Sequence, residues 1–156
     1  MTKIAITGEG STDYGKKDYR SGEWLPGPAI IYADNIVKEQ KKEVEFVPIE
    51  REEVGKIKLQ GRSIKGLQGK GVTARKFSVL MHRSECDAGI YYCDADKENG
   101  IKSSNQSAVN RHYERVYEEV DAGLDSDRAI PMIPLSMIEC WLLGDKDALE
   151  QCLTFR

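Results

Sequence analysis

Four short runs rich in β-branched and aromatic residues punctuate the chain: Lys3–Thr7 (KIAIT), Val44–Ile49 (VEFVPI), Ala88–Cys93 (AGIYYC) and Ala129–Ile133 (AIPMI). Between them lie stretches with apolar residues at helical spacing. Ala29, Ile30, Ala33, Ile36 and Val37 mark one helix, and a second is predicted from about Thr73 to Ser84. A third, from about Ser107 to Ala122, carries the stripe Val109, Tyr113, Val116, Tyr117 and Val120. A last helical region opens at Ser136 and holds Ile138, Trp141, Leu142, Leu149 and Leu153. Strands that alternate with helices imply crossover connections, which are right-handed almost without exception. The pattern predicts an α/β fold: a Rossmann-like sheet of about four mainly parallel strands flanked by helices.

A chain of 156 residues fits one domain, here residues 1–156. Its least regular part is Glu50–Val72, with glycines at 55, 61, 66, 69 and 71, which reads as a long, flexible basic insertion at about 50–72. Hydrophobic residues make up 40% and charged residues 31%, which excludes collagen-like and disordered classes. No apolar run approaches a membrane span, and the first ten residues are too polar for a signal peptide. Cys86, Cys93, Cys140 and Cys152 form no CxxC pair, and His82 and His112 stand far apart, so a zinc site is not expected. Reduced thiols in a cytoplasmic protein are.

The formal net charge is −3, but the distribution is uneven. Lys56, Lys58, Arg62, Lys65, Lys70, Arg75, Lys76 and Arg83 fall in one stretch without an acid, giving it +8 and leaving −11 for the rest. One reading is a solvated loop and helix face. The other is a phosphate-contacting arm, with Lys56, Lys58, Arg62, Lys65, Lys70, Arg75 and Lys76 as nucleic-acid-binding residues.

In open α/β sheets, sites collect beyond the carboxyl ends of the strands. The first strand delivers Gly8-Glu9-Gly10-Ser11-Thr12-Asp13, and the third delivers Asp94-Ala95-Asp96-Lys97-Glu98. Each alone is an ordinary turn composition. Together, on neighbouring strands, they would converge several carboxylates whose repulsion a hard divalent cation relieves. Asp94 and Asp96 share a side while the backbone is extended. Other phosphate motifs fail: Gly66-Leu67-Gln68-Gly69-Lys70-Gly71 lacks a Ser or Thr after the lysine, and there is no Gly-x-Ser-x-Gly elbow.

With Gly8-Glu9-Gly10, Asp94-x-Asp96 and Ile138-Glu139-x-Trp141-Leu142-Leu143-x-Asp145 in place, the chain resembles the Toprim domain. More narrowly, it is similar to small bacterial Toprim-like proteins related to nucleases of the overcoming-lysogenization-defect type. The resemblance implies that Glu9 serves as metal ligand or general acid/base, that Asp94 and Asp96 bind metal, and that Glu98 supplies a third acid. It also implies an association with phage defence. Two acids read either way. Glu139 with Ser136 makes a capping box or lies near the metal, and Asp13 caps a helix or stands as an additional acid behind the ligands.

The resulting expectation is Mg²⁺- or Mn²⁺-dependent phosphoryl transfer, namely phosphodiester hydrolysis of DNA or RNA by a nuclease. A different class competes with it: a non-catalytic partner subunit of Toprim-like fold that binds nucleic acid or protein. A signalling receiver domain also places acids after strands one and three, but it needs a lysine after a fifth strand.

Overall fold

The structure is a computed structural model and describes residues 1–95, 105–124 and 127–134. The chain runs β1 (Thr2–Thr7), β2 (Gly15–Lys17), β3 (Trp24–Pro26), α1 (Pro28–Glu39), β4 (Val44–Pro48), α2 (Arg51–Lys56), a 3-10 turn (Gly61–Ile64), α3 (Gly69–Arg83), β5 (Ala88–Tyr92), α4 (Gln106–Gly123) and β6 (Ala129–Met132). Strands β4-β1-β5-β6 form one sheet in that order, and every pairing is parallel. It is the α/β sheet flanked by helices that the alternating pattern predicts. No helix among the described residues is long and apolar enough to cross a membrane.

The two-residue period of the strands sorts the core into two layers. Ala5 and Tyr91 point to one face, where Ala74, Phe77 and Met81 of α3 and Val116 and Val120 of α4 cover them. Ile6 and Ile90 point to the other, against Ile30 and Ala33 of α1. Each fully buried Val, Ile, Phe or Met side chain among these is worth ~1.5–3 kcal/mol.

Helix α1 starts where Gly27 and Pro28 place a proline in the first turn, a position that needs no N–H donor. Helix α4 starts at Asn105, whose side chain accepts from the Ala108 N–H at 3.1 Å. That cap is the one expected of an Asn before a helix.

One feature has no counterpart in the sequence expectation, and a second differs from it. The Gly- and Pro-containing stretch before α1 folds into an antiparallel hairpin, β2–β3. Gly15 there has φ +105°, and a Cβ would meet the Leu25 carbonyl at 2.1 Å, so only glycine fits. Second, the segment read as a flexible insertion contains α2, the 3-10 turn and the first turn of α3. Val54 is buried and anchors α2 in the main core, which is why a short, glycine-containing run is helical. The helical region expected from Ser136 lies outside the described residues.

Candidate functional site

Renumbered by order of appearance in the sheet, the parallel strands run 2-1-3-4, so the connection direction reverses between β1 and β5. Ligand sites of open α/β sheets form at that switch point, beyond the strands' carboxyl ends. Glu9 follows β1 there, and Asp94 follows β5.

The Glu9 turn is held from below. Gly10 N–H donates to Asp13 Oδ2 at 2.8 Å, and Asp13 N–H donates to the Gly10 carbonyl at 3.0 Å. The Asp13 carbonyl in turn accepts from Ala29 N–H at 2.9 Å, tying the turn to the start of α1. Asp13 is therefore a buried brace for the loop that carries Glu9.

Helix α2 approaches the same edge from β4. Arg51 N–H donates to Tyr14 Oη at 3.2 Å, and Arg51 Nη1 donates to the Glu9 carbonyl at 2.5 Å. Thr7 Oγ1 donates to the Ile49 carbonyl at 2.8 Å, clamping the ends of β1 and β4 together. On β5, Tyr92 Oη donates to Asp94 Oδ1 at 2.8 Å. The two residues are i and i+2 on extended chain and so share a face.

Lys70, in the first turn of α3, closes the arrangement. Its Nζ donates to Glu9 Oε1 at 2.7 Å and to the Asp94 carbonyl at 2.5 Å. The Lys70 and Glu9 side chains are 24% and 30% exposed, so the pair is partly desolvated. Beside it opens a cavity of about 340 Å³ lined by Thr7, Glu9, Arg51, Lys70, Thr73 and Tyr91. Burial, then Cys93 and Glu9, push the Tyr91 phenol far up, so it remains an O–H donor through the neutral range. Gln68 gives α3 no side-chain cap, and the positive end of a 15-residue helix faces this region.

Of the residues singled out in the sequence, the Glu9 carboxylate and the Asp94 backbone carbonyl meet on Lys70, the Asp94 carboxylate is held by Tyr92, and Asp13 braces the Glu9 turn. Asp96, Glu98 and Glu139 lie outside the described residues, as does the side chain of Arg62. Among the described residues, no group of three or more His, Cys, Asp or Glu is placed to hold a metal ion. Lys56, Lys58 and Lys65 are exposed, as both a phosphate-contacting arm and a solvated face require. Three others have different contacts: Lys70 joins the acids, Arg75 Nη2 donates to the Ala122 carbonyl at 3.2 Å, and Lys76 Nζ donates to the Gly55 carbonyl at 3.5 Å.

Arg51, Thr73, Tyr91 and Tyr92 were not anticipated at the site. Tyr92 had a signal, its i, i+2 relation to Asp94. Arg51 had one too, because it follows a parallel strand at the same sheet edge as Glu9. Comparison with protein-family models, with curated proteins and with solved structures gives no match.

Proposed function

We propose that the chain is a divalent-metal-dependent phosphoryl-transfer enzyme of Toprim-like type that hydrolyses phosphodiester bonds in nucleic acid. The observation that carries this reading is the meeting of the Glu9 carboxylate and the Asp94 backbone carbonyl on the Lys70 ammonium, at the switch point of the sheet. Their carboxylate and carbonyl oxygens are hard donors of the kind Mg²⁺ and Mn²⁺ take, and the Lys70 ammonium marks a spot that favours positive charge. Among the described residues Glu9 and Asp94 offer such donors, and the resemblance adds Asp96 and Glu98 as residues that would hold the ion with them. Bound there, the ion would neutralise charge on the scissile phosphate.

The chain's own residues supply the rest. Lys70 and Arg51, both in contact with Glu9, hold non-bridging phosphate oxygens beside it through charge-assisted hydrogen bonds. Glu9 orients the attacking water and takes its proton. Tyr92 fixes the Asp94 carboxylate through its 2.8 Å hydrogen bond, so that group keeps one rotamer. The buried Asp13 brace keeps the Glu9 turn from shifting.

A second reading has one observation in its favour. Lys70 already neutralises Glu9, so the acids could serve a nucleic-acid- or protein-binding subunit that needs no metal. Mn²⁺ calorimetry on the intact protein, Glu9→Gln and Asp94→Asn/Asp96→Asn separates the two. The enzymatic reading expects saturable binding that both folded variants lose. No binding by the intact protein would leave the binding-subunit reading standing.

A further inference from the structure

A second cleft, of about 520 Å³, runs from Glu9 along the β2–β3 hairpin. One wall is the hairpin itself, bearing Lys16, Lys17 and Trp24, with Tyr19 at its tip. The Trp24 ring stacks on Tyr14 with centroids 5.5 Å apart, and its Nε1 donates to the Tyr14 carbonyl at 3.1 Å. This wall is therefore built rather than draped. The tip is equally fixed: Asp18 N–H donates to the Glu23 carbonyl at 2.7 Å, Gly22 N–H to the Asp18 carbonyl at 2.7 Å, and Arg20 N–H to Asp18 Oδ1 at 2.8 Å. On this tied loop Tyr19 is 96% exposed, an aromatic ring that covers no core of its own. The opposite wall carries Arg51 with Glu50 and Glu52.

We propose that this cleft is the binding groove for a single-stranded stretch of the substrate polynucleotide, leading its backbone to Glu9. The inference rests on the reading that the substrate is nucleic acid. Lysines beside an exposed aromatic ring, here Tyr19 with the half-buried Trp24 behind it, are the chemistry of single-strand grooves, in which cations track phosphates and rings stack on unpaired bases. A duplex keeps its bases stacked on one another and cannot use the rings. Glu50 and Glu52 repel phosphate, so the strand's backbone lies along Lys16 and Lys17 and its bases turn towards Tyr19 and Trp24.

The test is fluorescence anisotropy in EDTA at one fixed salt concentration. It uses a dye-labelled oligonucleotide of about twelve nucleotides, as single-stranded DNA, as single-stranded RNA and as the matching duplexes. The groove predicts that a single strand binds tighter than its duplex. Tyr19→Ala and Lys16→Ala/Lys17→Ala should each weaken that binding about tenfold. The double lysine variant should also lower the salt slope by about 1.4, the value for two phosphates on a single strand. All three side chains are exposed, so loss of binding is not loss of fold.

Equal binding of single strand and duplex, or hairpin variants that bind like the intact protein, overturns the groove. The metal-free buffer keeps this outcome separate from catalysis. Missing Mn²⁺ binding with an intact hairpin effect sinks only the enzymatic reading. Normal Mn²⁺ binding with no hairpin effect sinks only the groove.

Discussion

An ammonium group shared by two oxygen donors competes with any divalent cation for them. Lys70 occupies that position between Glu9 and the Asp94 carbonyl, so the proposed metal site opens only when Lys70 lets go. The pair is partly exposed, and such ion pairs are worth up to ~1 kcal/mol. Lys70→Met should therefore tighten Mn²⁺ binding about fivefold by calorimetry. Lys65→Met, at an exposed lysine away from Glu9, should change nothing. Unchanged or weaker binding in Lys70→Met would show that the lysine is not the metal's competitor. At this scale the positions of Glu9 and Asp94 were legible in the sequence, because a carboxylate just after a parallel strand is placed by the strand itself. Lys70 was not. It lies 61 residues from Glu9 and sits in a run of like charges, where local sequence says nothing about which lysine turns inward.

Next to Lys70, helices α3 and α4 cross closely. Gly71 of α3 and Gly123 of α4 let the backbones approach: a Cβ on Gly71 would meet the Glu119 carbonyl oxygen at 2.4 Å, and one on Gly123 the Gly71 oxygen at 2.1 Å. Those are backbone atoms, which cannot rotate aside. In an open helix, Gly→Ala stabilises by up to ~1 kcal/mol, so the sign of the effect is diagnostic. Gly71→Ala should instead destabilise by ~1–3 kcal/mol, read as a lower thermal midpoint, and should move the neighbouring Lys70 enough to alter Mn²⁺ affinity. A more stable Gly71→Ala protein would refute the close crossing. Gly69-Lys70-Gly71 has poor helix propensity, so the sequence places the helix start at Thr73 and misses the turn that carries the site lysine. Packing against α4 outweighs that propensity. The β2–β3 hairpin escaped for a related reason. Its strands are three residues each, GKK and WLP, too short to show a period of two, and the glycine that permits their approach reads as loop.

For the whole molecule, the question is how an acidic chain would recruit the proposed polyanion. The sequence showed the charge segregation plainly, +8 in residues 56–83 against −11 elsewhere, but not which cations are available to a ligand. In the fold, Arg75 and Lys76 donate to backbone carbonyls and Lys70 to Glu9, while Lys56, Lys58 and Lys65 project into solvent on the chain between β4 and α3. Replacing Lys65, Lys70 and Arg75 together would therefore mix three roles. The informative variant is Lys56→Ala/Lys58→Ala/Lys65→Ala. If those three side chains meet phosphates, single-strand binding in EDTA should weaken, and its dependence on the logarithm of salt concentration should flatten by about 2, at ~0.7 per phosphate. Mn²⁺ affinity should stay as it is, since counterions screen exposed charges over about 10 Å at 0.1 M salt. An unchanged slope would return these lysines to the role of a solvated face and leave the hairpin cations as the proposed contacts for a strand.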